Sequence, residues 1–156
     1  MARVLVCVPV DDRQAAQLAD GQALEGPLQV FTVTAELLET FGLQASDDEP
    51  AEYAALLLAG LWALLRHGRR LVLTTQLAST RLDVGAESAN GGRTLRNLAP
   101  SEVEALFDDE PTTPIAEVAD QIAGLELDDA WEHPAVQRLH AEHDLLWHSV
   151  VELRKD

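Results

Sequence analysis

Residues 3–10, RVLVCVPV, are apolar on both alternating faces, the pattern of a central strand covered on each side, and Pro9 marks where its pairing frays. Asp11 and Asp12 precede a short helix expected over Arg13–Ala19. Gly21 and the Gly26-Pro27 pair punctuate the chain before a second strand at Leu28–Val33. Thr34 is placed to cap a helix over Ala35–Phe41, and Gly42 to end it. After the polar loop Gln44–Glu49, an acid ahead of Pro50 opens a helix that should run to His67, with Gly68 at its C-cap. Ala54, Leu57, Leu58, Leu61, Trp62 and Leu65 recur there at helical spacing, and Tyr53, Leu56 and Leu64 widen the apolar surface beyond one stripe. This is the expected core helix, and its apolar run from Tyr53 to Leu65 falls short of the roughly 20 residues that a bilayer needs.

A third strand is expected over Arg70–Thr75, so strand and helix alternate through this half, which favours an α/β sandwich with some parallel pairing. Beyond Gln76 the pattern weakens. Ser88–Gly92 reads as a turn, and Thr94–Leu98 as a short strand with Arg93 and Arg96 exposed. Two patterns compete next: Ser101-Glu102-Val103-Glu104 matches a capping box, while Val103, Ala105 and Phe107 alternate as in a half-buried strand. The strand is preferred, because Asp108-Asp109-Glu110-Pro111 would cut a helix short. Thr113-Pro114 opens a helix with Ile115, Val118, Ala119 and Ile122 on one face and Gly124 at its end. Pro134 opens another carrying Val136, Leu139 and His140, and the closing run Leu145–Val151 fits a strand or a helix. The expected fold is a single α/β domain spanning residues 1–156, with a mixed five- or six-stranded sheet flanked by helices.

Composition narrows the function classes. A chain of 156 residues, 47% hydrophobic and 24% charged, is an ordinary globular protein that needs neither disulfide nor metal for stability. Cys7 is the sole cysteine, no leader pattern opens the chain, and the cytoplasm is the expected location. The net charge of −16 is concentrated late: residues 101–156 hold fifteen acids against three bases, and residues 1–100 twelve against eight. Such a surface repels phosphate backbones, and Arg66, Arg69 and Arg70 at a helix end suit the macrodipole better than a nucleic-acid patch. Nucleic-acid binding and membrane insertion are disfavoured, while a nucleic-acid mimic or a partner for a basic protein matches the charge sign; the simplest account remains a solvated acidic face.

Four groups of residues bear on chemistry. His140, His143 and Asp144 sit at i, i+3 and i+4, which on a continuous helix puts two imidazoles and a carboxylate on one face, suitable for zinc or non-haem iron with Glu132, His133 or His148 completing the shell. Structural roles compete: His140 at the core edge, His143 and Asp144 at a helix end, and Leu145, Leu146 and Trp147 entering the core. If the first three strands are parallel, Asp11, Asp12, Thr34, Thr74, Thr75 and Gln76 gather beyond their C-termini, where open α/β sheets bind ligands; capping explains several of them separately. Cys7, inside an apolar strand, is a poor nucleophile. Trp131, in the acidic stretch Leu127–His133, is a candidate anchor for a protein partner, or a seal on the core edge.

Several segments together resemble an uncharacterised actinobacterial family known only as a domain of unknown function. They are VLVCVPV near the start, Glu49-Pro50-Ala51-Glu52-Tyr53-Ala54-Ala55, Arg69-Arg70-Leu71-Val72-Leu73, and His143-Asp144-Leu145-Leu146-Trp147 followed by Glu152-Leu153. This chain departs from the pattern at His148, where an aromatic residue is usual, and near Phe107, where a histidine is usual. The resemblance implies a strand followed by acids at Val103–Glu110 and assigns no activity. The expected function is that of a small acidic cytoplasmic interaction or accessory protein, with a protein partner or self-association and no cofactor. A metal-dependent protein centred on His140, His143 and Asp144 is the alternative.

Overall fold

β1 (Arg3–Pro9) occupies the middle of a sheet, because Val6 and Val8 are buried in the core on one face and Cys7 in the core on the other. In the computed structural model, which describes residues 3–153, β1 pairs with β2 (Leu24–Thr32) and β3 (Val72–Ala78). With β4 (Leu82–Val84), β5 (Gly92–Leu98), β6 (Val103–Asp108) and β7 (Leu146–Ser149), they form a seven-stranded sheet of order β4-β5-β2-β1-β3-β6-β7. Every pairing is antiparallel.

The mixed five- or six-stranded sheet is therefore corrected in number and direction. β4 has three residues and β7 four, too few for an alternation to stand out from its surroundings. The direction has a topological cause. β2 and β3, joined through helices, do run the same way, but β1 lies between them and antiparallel to both, a split β-α-β arrangement. Strand β2 also begins earlier than expected, carrying the cis Gly26-Pro27 bond within a bulge between Glu25 and Leu28. Only glycine fits there, since a Cβ at Gly26 would collide with the Leu95 carbonyl of β5.

Caps fix the helices. Asp11 caps α1 (Asp12–Ala19), its Oδ1 accepting from the Gln14 N–H at 2.7 Å while Gln14 Oε1 accepts from the Asp11 N–H at 3.0 Å. Thr34 Oγ1 accepts from the Leu37 N–H at 3.1 Å and opens α2 (Ala35–Thr40). The long α3 (Asp48–His67) ends at Gly68, whose φ of 78° is the left-handed cap that glycine adopts without strain. Its alanines and leucines are buried around most of its circumference. Sheet residues such as Phe31 and Val72 pack on it, as do residues of α4 (Ile115–Ile122), α5 (Leu127–Glu132) and α6 (Pro134–Glu142). The other sheet face has its own core of Leu18, Val30, Leu73, Leu95 and Leu98, covered by α1 and by α7 (Val150–Leu153). Among the described residues no helix is long and apolar enough to cross a membrane.

The antiparallel order also divides the strand-end polar group expected from parallel pairing. Asp11 and Asp12 leave β1 at the end where β3 begins. Thr34, Thr75 and Gln76 lie towards the opposite end, because Pro9 pairs with Val72 while Val6 pairs with Thr75 and Leu5 with Gln76. Thr75 Oγ1 donates to the Glu102 carbonyl at 2.6 Å, which accounts for its burial.

Candidate functional site

α6 stops before the three residues of the expected metal face can share it. His140 lies in the last turn, its ring 5.0 Å from that of Trp131, and its buried Nε2 has no partner among the described residues. Burial, reinforced by the Arg70 charge, pulls its pKa down to about 4, so the imidazole is neutral at pH 7. His143 is the C-cap and offers its carbonyl, to which Arg70 Nη2 donates at 2.9 Å. Asp144 lies outside the helix and accepts from the Tyr53 hydroxyl at 3.3 Å. Of the residues that might have completed a shell, His133 caps α6 through Nδ1, which accepts from the Ala135 N–H, Glu132 ends α5, and His148 lies in β7 opposite Leu106. Among the described residues no three His, Cys, Asp or Glu side chains are grouped to hold a metal ion.

What holds this junction is a pair of arginines. Gly68 ends α3 before Arg69 and Arg70, so their charges serve ion pairs and not the macrodipole, while Arg66 covers the Trp62 ring at 4.3 Å. Consecutive residues of extended chain point to opposite faces, and each arginine meets one of two consecutive aspartates. Arg69 bridges Asp12 and Asp108, the latter at 2.6 Å. Arg70, with only 1% of its side chain exposed, grips both oxygens of Asp109, with Nε at 3.0 Å from Oδ2. Its further bond to the His143 carbonyl ties the end of α6 to β3 and β6. Leu145 then seats over Gly60 of α3: a Cβ added there would lie 3.3 Å from Leu145 Cδ1.

The segment so anchored continues into β7, and its side chains run against expectation. Leu146 and Trp147 do not enter the core; Trp147 is 63% exposed. The reason is β7's place at the sheet edge, where it pairs with β6 alone, putting Trp147 beside Phe107 on the α3 face. Helix α3 packs over β1, β2 and β3 and leaves this margin uncovered. A groove of about 480 Å³ results, with Leu5, Cys7, Thr74, Ala105 and Phe107 as its floor and Trp147 as one wall. The other wall comes from Glu49, Glu52, Tyr53 and Leu56, at the i, i+3, i+4 and i+7 positions of one α3 face.

Carboxylates set the groove's electrostatics. Glu49, Glu52 and Glu104 line it, and none has an ion-pair partner among the described residues. Burial and the nearby Glu52 charge push the Cys7 thiol up to about 12, so it is neutral and unreactive. Burial, with Asp144 adding, also raises the Tyr53 hydroxyl above its usual range. Trp131, the expected anchor, packs edge-on against Phe41 at 5.4 Å and against His140, sealing the rim of the core. The exposed tryptophan is Trp147 instead. Its position was visible in the sequence, but apolar spacing carries no information on which strand becomes the edge.

Neither the curated proteins nor the solved structures contain a match to this chain. A family model does match, over residues 4–155, and the segments that carried the resemblance are the ones that build the junction and groove: β1, the start of α3, the arginine pair and the turn into β7. The chain belongs to the family of unknown function DUF6912.

Proposed function

We propose that the protein is a small acidic interaction or accessory protein of the cytoplasm, and that it docks a partner in the groove between α3 and β7. The observation that carries this reading is Trp147, 63% exposed at the mouth of an apolar cavity, while Trp62 and Trp131 are packed into the core margin. An exposed tryptophan beside further aromatics, ringed by polar groups, has the composition of an interface centre. Cys7 as an unpaired, buried thiol suits a reducing compartment. The charge favours a partner over a second copy, because two chains of −16 meeting at carboxylate-lined grooves would repel.

Affinity capture from the native host with three baits tests this. The wild type should recover a reproducible partner, and Trp147→Ala should lose it while unfolding within about 2 °C of the wild type, as a surface substitution does. Trp131→Ala should lower stability by about 3 kcal/mol through lost packing. Retention of the partner by Trp147→Ala would place docking elsewhere.

A further inference from the structure

Resting on that reading, we propose what the groove recognises: a lysine or arginine side chain presented by an extended segment of a partner protein. Two independent features point there. The first is a hydroxyl on the groove floor. Thr32 Oγ1 donates to the Leu5 carbonyl at 2.7 Å and Thr75 Oγ1 to the Glu102 carbonyl at 2.6 Å, as buried hydroxyls ordinarily do. Thr74, only 7% exposed and on the groove floor, has no hydrogen-bond partner among the described residues. Among the described residues the buried side-chain atoms left without a partner are Arg70 Nη1 and His140 Nε2, not the Thr74 oxygen, which therefore opens onto the groove and can accept from a donor that enters.

The second feature is charge. Cys7 pairs with Thr74 and Thr74 with Ala105, so the hydroxyl sits in the middle of the floor, and Glu52 lies close enough to act on the Cys7 thiol. Glu104 and Glu49 add two more carboxylates to the groove lining, and neither has an ion-pair partner among the described residues. A side chain with an aliphatic stem and a cationic head matches this order: the stem lies between Tyr53, Phe107 and Trp147, and the head donates to Thr74 Oγ1 and the carboxylates. The source is a protein segment because the groove, at about 480 Å³, extends beyond a single side chain and leaves apolar lining at Leu5, Leu56 and Phe107 for the neighbouring residues.

The probe is a synthetic decapeptide alternating lysine and valine, titrated calorimetrically into the full chain. It should bind the wild type, and glutamine in place of lysine should weaken binding at least tenfold. Glu52→Gln/Glu104→Gln should do the same with unchanged melting temperature, whereas Glu117→Gln/Asp120→Asn, which removes equal charge from α4, should have little effect. Thr74→Val should weaken binding several-fold without lowering stability. Failure of the lysine peptide to bind, equal binding by the glutamine peptide, or butylamine binding as tightly as the peptide overturns the inference. Trp147→Ala separates the two levels. If it abolishes binding while charge is immaterial, the groove stands and the cation falls; if it has no effect, the groove falls as well.

Discussion

His140 illustrates how far one residue can be understood from its neighbours in sequence. Its place with Val136 and Leu139 on one side of a helix put it at the core edge, where it packs on Trp131. The charge that depresses its pKa belongs to Arg70, which no local pattern connects to it. The unfolded imidazole binds a proton near pH 6.5, the folded one only near pH 4. Stability is thus fully present above pH 6.5, falls as the pH drops towards 4, and levels off below, a loss of about 3 kcal/mol. His140→Phe keeps a ring against Trp131 and removes the titration. Urea unfolding at pH 7 and pH 4 should show the variant gaining about 3 kcal/mol on the wild type at the acid end. A constant offset at both values would contradict the assignment.

Among the elements, those marked by local chemistry were legible and those fixed by partners were not. Thr34 and Gly68 announce the start of α2 and the end of α3 because a cap is made within a few residues. β4 and β7 carry too few residues for periodicity, and α5 lies in a stretch whose acids mask its apolar positions Leu127 and Ala130. The arginine pair belongs to the second kind, since its meaning depends on aspartates at the far end of β6. Its two halves differ in environment, which sets their worth. Asp109→Ala leaves Arg70 buried and uncompensated, so it should cost about 3–5 kcal/mol and lower the melting temperature by roughly 10 °C. Asp12→Ala, at an exposed partner of Arg69, should cost less than about 1 kcal/mol. Calorimetric melting of both variants checks this, and equal losses would show that the Arg70 junction does not hold the turn into β7.

At the scale of the whole molecule, the alternation of strand and helix leads to an expectation of some parallel pairing, which fails because β1 lies between β2 and β3, the two strands that share a direction. Nothing in that alternation could reveal β1 inserted between them, because strand order is decided by long-range packing. The same gap explains the candidate site. The acidic balance and each aromatic were plain in the sequence, whereas the groove exists because one long helix covers β1, β2 and β3 and leaves the β6–β7 margin open. Part of the negative charge thereby acquires a specific place, at Glu49, Glu52 and Glu104 along the groove. The three tryptophans give the most direct test, since each has one indole N–H resonance and only Trp147 borders this groove. In a nitrogen-15 spectrum titrated with the lysine–valine peptide, the Trp147 indole signal should shift progressively while those of Trp62 and Trp131 stay in place. Movement of the Trp131 signal with Trp147 unmoved, or no movement at saturating peptide, would contradict the account.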